Sequence, residues 1–244
     1  MIYLELHVHI DGIFAYLPKT TTKIRVLSGH QQMMRIDFKG MQPLKTSQEQ
    51  NIMDFVNQTI DERIDAVVIS DYGKGVCTDK ICDFVIHKAN KTGIPTLVDP
   101  KGANWKKYSN ATSVTPNVKE LGEVSHTKLL NEEEVILPIA RDILRKYNLQ
   151  NILVTRSEAG MTLVTSDSFI SLPTQAKEVF DVSGAGDTVI SAFTAAISAK
   201  ISPTVAACMA NIAAGIEVSK VGTYAVSAQE IDHEITNTCT KNVN

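Results

Sequence analysis

Short apolar runs alternate with longer amphipathic stretches through most of this chain. Residues 20–38 read as extended: Thr20, Thr21, Thr22, Ile24, Val26 and Leu27 favour strand, and Arg35-Ile36-Asp37-Phe38 alternates polar with apolar. Thr46 followed by Glu49 predicts a capping box and a helix to about Ile60, with Ile52, Phe55, Val56 and Ile60 on one face. Ala66–Ser70 (AVVIS) predicts a strand buried on both faces. Thr78 opens a helix that Gly93-Ile94-Pro95 ends, and Thr96-Leu97-Val98 follows as a strand. Thr112–Thr115 predicts another strand, Pro116 precedes a short helix, and Glu132–Tyr147 a longer one. Asn151–Thr155 reads as a strand, and Met161–Val164 with Phe169–Leu172 as a hairpin. Helices over Gly186–Ala199, Pro203–Val218 and Ser227–Ile235 follow, Pro203 sitting where a missing N–H costs nothing.

Strands alternating with helices predict an α/β fold with a parallel sheet covered on both faces. Ligands bind such sheets beyond the carboxyl ends of the strands. Four predicted strands run out there into Asp71, Asp99, Asn117 and Thr155-Arg156-Ser157. Each Asp or Asn can equally cap the helix that follows it; four together make a polar rim.

Composition narrows the class. The 244 residues suffice for one large domain or two small ones, and 43% hydrophobic with 21% charged residues excludes a mainly disordered chain. A net charge of -3 argues against a nucleic-acid coat or a membrane-surface binder. No run approaches the roughly 20 apolar residues of a spanning helix. The start, MIYLELHVHIDG, lacks a basic segment and does not read as a secretory signal. Cys77, Cys82, Cys208 and Cys239 form no CxxC pair, as expected of free thiols in a cytoplasmic protein.

Chemistry concentrates in Phe180-Asp181-Val182-Ser183-Gly184-Ala185-Gly186-Asp187-Thr188. Gly184, Ala185 and Gly186 let a backbone approach a ligand closely, and a helix follows at once. Its first N–H groups and dipole suit an anion such as phosphate. A carboxylate beside an anion site is odd for simple binding. It makes sense if Asp187 takes a proton from an attacking hydroxyl while the N–H groups hold charge on a transferred phosphoryl. No GxxxxGK[ST] P-loop exists, and GAGDTV lacks the third glycine and early position of a dinucleotide-binding turn.

DVSGAGDT resembles the C-terminal signature of the PfkB (ribokinase-like) carbohydrate kinases. Asn117-Val118-Lys119-Glu120 is similar to that family's N-x-x-E motif, and Ala210-Asn211-Ile212-Ala213-Ala214-Gly215 and Lys220-Val221-Gly222-Thr223 resemble its adenosine-side helix and loop. The resemblance spans residues 66–231. It implies a three-layer αβα fold in one kinase domain over 1–244, with lid strands at 20–38 and a nucleotide-binding core at 46–235. It implies Asp187 as catalytic base and Gly184, Ala185 and Gly186 as the anion hole. ATP would meet Asn117, Lys119, Glu120, Thr155, Ser157, Gly160, Asn211 and Gly222, with Lys177 also near. Mg²⁺ would sit by Asn117 and Glu120 through water, as suits a cation that keeps its hydration.

Several segments resemble one subgroup, the kinases of D-glycero-β-D-manno-heptose 7-phosphate: Thr20–Val26, His30-Gln31-Gln32, Arg35-Ile36-Asp37, Asp71-Tyr72-Gly73-Lys74-Gly75 and Asp99-Pro100-Lys101-Gly102. That likeness implies phosphorylation of the anomeric hydroxyl, giving the 1,7-bisphosphate used for ADP-heptose and lipopolysaccharide. Lys23, Arg25, Lys74 and Lys101 are candidates for the phosphate already on the sugar, and Asp71 for its hydroxyls. A homodimer through the lid strands is a further implied partner. The family's glycine-glycine-asparagine sugar motif has no counterpart, so the domain is expected to be N-terminally incomplete. The ending TNTCTKNVN has no HxGH-type motif, as expected of a kinase half alone. Two rival classes are a metal-dependent hydrolase using His7-Val8-His9, and a non-catalytic nucleotide binder.

Overall fold

The structure is a computed structural model and describes residues 8–16, 21–28, 31–38, 43–62, 64–176 and 178–241. Its first regular unit is the antiparallel pair β1 (Thr22–Ser28) and β2 (Gln31–Phe38). Helix α1 (Thr46–Asp61) leads into β3 (Val67–Ser70), α2 (Asp79–Thr92), β4 (Thr96–Asp99) and β5 (Ser113–Val114). Then come α3 (Val118–Ser125), α4 (Glu133–Lys146), β6 (Asn151–Thr155), β7 (Met161–Thr165) and β8 (Phe169–Leu172). Helices α5 (Ala185–Ser198), α6 (Pro203–Glu217) and α7 (Ala228–Lys241) follow.

Strands β3 to β8 form one sheet in sequential order, parallel from β3 to β6 and antiparallel from β6 to β8. Successive residues of a strand serve opposite layers, as the period of two requires. Val98, Val114, Ile152 and Val154 pack with Met53, Val85, Ile86, Trp105, Leu121 and Ile136 on one face. Leu97, Leu153 and Leu163 pack with Val189, Ile190, Phe193, Ala206 and Ala210 on the other. These two cores make a three-layer αβα arrangement around a mostly parallel sheet.

Caps explain the helix ends. Thr78 Oγ1 accepts from the Ile81 N–H, and Gly93, at φ 73°, closes α2. Asn117 and Glu120 form a reciprocal capping box on α3. The box expected at Thr46 and Glu49 sits one residue earlier: Lys45 is the N-cap, and Gln48 Oε1 accepts its N–H at 2.8 Å. Glu49 instead accepts the Thr78 hydroxyl at 2.7 Å, which ties α1 to the start of α2.

Strand β3 departs from the two-sided burial its apolar run predicts. Val68 is 43% exposed, because among the described residues β3 pairs only with β4. The β1–β2 pair is two-faced. Register places Ile24 against Ile36 and Val26 against Met34, whereas Lys23 faces Asp37 and Arg25 faces Arg35. The apolar side of this hairpin is exposed at Ile24, Val26, Met34, Ile36 and Phe38. No helix among the described residues is long and apolar enough to cross a membrane.

Candidate active site

Parallel strands end at one edge of the sheet, and this brings the polar rim together. Asp71 N–H donates to Asp99 O, Thr155 N–H to Pro116 O, and Asn117 bridges to Thr155. The rim residues then take different duties. Asp71 is 5% exposed, and its carboxylate accepts Gly73 N–H, Lys107 Nζ and Tyr108 Oη, each at 2.6 Å. Asn117 Oδ1 accepts Glu120 N–H at 2.9 Å, and Glu120 Oε2 accepts Asn117 N–H at 3.1 Å. Glu120 Oε1 holds Lys101 Nζ at 2.7 Å, so this lysine of the predicted sugar-phosphate set already has an anionic partner. Asp99 has too little compensation. Burial first, then the charges of Glu120 and Asp187, push its carboxyl up to about 7.

The glycine-rich turn enters α5 with Gly184 as N-cap at φ 109°, a conformation open to glycine at little cost. Ala185 N–H turns to Val182 O at 3.4 Å, and Thr188 N–H closes back on Gly184 O at 2.8 Å. No acceptor among the described residues takes the N–H groups of Gly186 or Asp187. They are the free donors of the first turn, at the positive end of the helix dipole. A Cβ added at Gly186 would meet nothing within 4 Å, and Gly186 has no positive φ. Neither packing nor conformation requires glycine there, although glycine costs a helix about 1 kcal/mol relative to alanine. The vacant volume is therefore on the ligand side. Gly186→Ala is expected to raise thermal stability slightly while lowering turnover at least about tenfold; a melting curve and an activity assay on the same preparation check both.

Asp187, in the first turn of α5, accepts a hydrogen bond from Tyr72 Oη at 3.0 Å to Oδ1 and 3.2 Å to Oδ2. Across the sheet edge stands the charged face of the β1–β2 hairpin. Lys23 Nζ lies 4.8 Å from the Tyr72 ring centroid. Arg25 helps to hold the Asp181 carboxyl below its ordinary value, after the larger effect of hydrogen bonds from Ser183. Lys74 and Lys23 act similarly on Asp37, behind Arg35.

Beneath Gly184 lies Glu217, fully buried, its carboxylate oxygens without a hydrogen-bond partner among the described residues. Desolvation, then the charge of Asp181, pushes this carboxyl up to about 7. A raised carboxyl stabilises the fold only while protonated: its contribution is full below the ordinary value of 4.5 and is lost as pH rises through 7. Glu217→Gln is expected to flatten the fall in stability between pH 5 and 8 by on the order of 2 kcal/mol, read by thermal or urea denaturation at each pH.

A cavity of about 470 Å³ opens beside the α5 N-terminus, lined by Thr155, Ser157, Gly160, Ala185, Gly186 and Asn211 with an apolar wall that includes Val189 and Val218. Six of the predicted residues thus share one wall. Asn117 and Lys119 line an adjoining cavity of about 820 Å³, which Thr155 and Ser157 also border. Lys119 is exposed and pairs with Glu123. Gly160 has a packing reason of its own: at φ 79°, its Cβ would fall 2.0 Å from Leu172 O. Asn211 Nδ2 donates to Pro173 O at 2.7 Å. Gly222, at φ 76°, turns the loop whose Thr223 methyl approaches Gly184. Arg156 turns inward, held by Asn131 and Thr162. Lys177 and His7 lie outside the described residues. His9 is exposed, and no group of three or more metal-ligating side chains occurs among the described residues.

Sequence reading did not single out Tyr72, Glu217 or Asp181. The aspartate that opens DVSGAGD was the available signal for Asp181. Tyr72 stands in the Asp71–Gly75 segment, but nothing local gives it a role, and nothing local marks Glu217; their partners lie 115 residues away for Tyr72 and across a helix pair for Glu217.

Residues 16–230 match the profile of the pfkB family carbohydrate kinase. The chain belongs to that family. Among curated pfkB relatives it is 40% identical over 232 residues to the Bifunctional protein HldE of Syntrophotalea carbinolica, covering 94% of this chain and 47% of that one. To the Bifunctional protein HldE of Aliivibrio salmonicida it is 41% identical over 234 residues, covering 95% and 47%. The chain thus spans about half the length of the curated relatives it matches. Solved structures agree on the fold. Phosphofructokinase-2 from Escherichia coli in complex with potassium superposes with a TM-score of 0.70 at 21% identity, over 82% of this chain and 65% of that one. Arabidopsis thaliana ribokinase complexed with ribose and ATP gives 0.68 at 21% identity, over 88% and 69%.

Proposed function

We propose that this chain transfers the γ-phosphoryl group of ATP to a sugar hydroxyl, and that the sugar is D-glycero-β-D-manno-heptose 7-phosphate, phosphorylated at its anomeric hydroxyl. The observation that carries the transfer reading is the juxtaposition at the start of α5. A carboxylate, two open N–H donors and a glycine with unfilled space in front of it occupy consecutive positions. Asp187 accepts the proton of the attacking hydroxyl, whose oxygen bonds to the γ-phosphorus as the bond to the ADP oxygen breaks. Gly184, Ala185 and Gly186 shape the turn that meets the developing phosphoryl charge, with Gly186 and Asp187 N–H groups as its donors. Thr155, Ser157, Gly160 and Asn211 line the nucleotide cavity, and Gly222 holds the loop beside it. Asn117 and Lys119 stand at its far end.

A divalent cation fits this rim on one observation. The described carboxylates make no direct ligand cluster, but Asp99 feels the charges of Glu120 and Asp187 and is left short of positive charge, which suits a cation held through water. Both oxygens of Glu120 already accept hydrogen bonds, which suits contact through water rather than direct ligation. Mg²⁺, when bound with the nucleotide, supplies charge neutralisation at the phosphates.

The heptose phosphate reading is supported by the subgroup-like segments, by relatives named HldE at about 40% identity and by the cationic face turned toward Tyr72. Arg25 and Lys74 are assigned to the sugar phosphate, with Lys23 beside them, while Lys101, first expected in that set, is engaged by Glu120; Asp71 is assigned to holding the loop that carries Tyr72 rather than to sugar hydroxyls. The exposed apolar side of the hairpin suits a homodimer through the lid. The test is ADP release from ATP across a panel of sugar phosphates. Release with the heptose 7-phosphate at the highest kcat/KM supports the reading. Preference for another sugar replaces the substrate and keeps the kinase. Nucleotide binding without release on any sugar overturns the transfer reading.

A further inference from the structure

Tyr72 occupies the place that an acceptor hydroxyl must take on Asp187. Its phenol donates to both carboxylate oxygens, at 3.0 and 3.2 Å. The loop after β3 delivers it: Asp71 Oδ1 captures Gly73 N–H at 2.6 Å, and Gly73 turns at φ 63°. Lys23 of the hairpin sits over the ring, 4.8 Å from its centroid. Burial, followed by the pair with Asp187, pushes the phenol above its ordinary value, so it stays a donor at neutral pH. Tyr72 is 52% exposed, so a side-chain rotation suffices to release it.

A kinase base has an unwanted acceptor always at hand. Water can take the sugar's place: its oxygen bonds to the γ-phosphorus, the bond from that phosphorus to the ADP oxygen breaks, and the water proton passes to the base, leaving ADP and inorganic phosphate. An Asp187 that stood free beside bound ATP would serve water as well as sugar. We propose that Tyr72 discriminates between the two acceptors by holding Asp187 while no sugar is bound. The inference rests on the phosphotransfer reading above. A tethered phenol competes well with a single water, which brings one contact. A sugar phosphate brings many, and contacts far from the reacting hydroxyl offset the displacement of Tyr72.

The experiment compares the protein with its Tyr72→Phe variant, measuring ADP release with ATP alone and with the best sugar phosphate. Losing the phenol is expected to raise the ratio of sugar-independent hydrolysis to sugar-dependent transfer about tenfold, the weight of one ordinary hydrogen bond. The double variant Tyr72→Phe, Asp187→Asn should return the hydrolysis to background, because the freed base causes it. A purely structural role would lower both rates together and leave the ratio unchanged, which overturns the proposal. Hydrolysis that persists in the double variant also overturns it. Should Tyr72→Phe fail to fold, Lys23→Met tests the same contact by loosening the ring; because Lys23 also stands beside the sugar-phosphate set, the readout is the absolute rate of ADP release with ATP alone, with a smaller rise expected and no rise counting against. Wild-type protein inactive on every sugar overturns the kinase reading and this proposal together; an active wild type with an unchanged ratio overturns this proposal alone.

Discussion

Asp187→Asn is expected to lower sugar-dependent ADP release by about 10²- to 10⁴-fold, the usual worth of a positioned general base, with nucleotide affinity nearly unchanged. The substitution keeps the shape of the side chain and an oxygen that can still accept from Tyr72 Oη. It leaves Gly186 and the open N–H groups as they are. What goes is the capacity to take a proton. Stability should change little, since an acidic residue in the first turn of a helix contributes only about 0.3–1 kcal/mol through the dipole. The separation of effects is the point of the test. Turnover within a few-fold of wild type would remove Asp187 from the chemistry. Loss of ATP binding alongside turnover would make it a structural residue of the α5 start. Single-turnover phosphoryl transfer, with nucleotide binding measured independently, tells these apart.

Sequence pattern carried the order of elements because it is a local property. Thr78, Gly93 and Pro203 mark boundaries that the structure places within a residue or two, whereas the last helix, expected to end at Ile235 where no stop signal stands, runs on to Lys241. The rim was legible for a topological reason: parallel strands must end on one side, so Asp71, Asp99, Asn117 and Thr155 had to meet. How each would be used was not legible. Asn117-x-x-Glu120 reads alike as a ligand motif and as a capping box, and in the structure the box is formed. Lys101 reads as a free cation until Glu120, 19 residues on, is placed against it. The capping signal at Thr46 slipped to Lys45 because Gln48 and Glu49 both offer an acceptor, and the packing of α1 on α2 claims Glu49 for Thr78. Glu217 was silent and Tyr72 was quoted without a role, since each takes its meaning from a partner far along the chain.

Asp71→Ala is expected to destabilise the fold by about 3–5 kcal/mol, the cost of leaving one member of a buried ion pair uncompensated. Lys107 is only 13% exposed at its side chain, and its ammonium is shared between the Asp71 carboxylate and Cys77 O. Tyr108 is fully buried and directs its hydroxyl at the same carboxylate oxygen. Burial alone would raise the Asp71 carboxyl, yet the bonds from Lys107, Tyr108 and Gly73 N–H together hold it below the ordinary carboxylate value. A depressed carboxyl stabilises the folded state above the unfolded value near 3.8 and loses that contribution as pH falls through the folded one. The stability gap between wild type and Asp71→Ala should therefore be constant near neutrality and narrow in acid. Removing both charges, as in Asp71→Ala with Lys107→Met, should recover about half of the loss, because the stranded ammonium goes too. The same pair of measurements separates two uses of Asp71. If it held sugar hydroxyls, Asp71→Ala would raise KM at unchanged melting temperature, and Lys107→Met would recover nothing. With the carboxylate facing Lys107, Tyr108 and Gly73, the loss should appear first in the melting temperature. Activity should then fall only as the loop carrying Tyr72 loses its anchor.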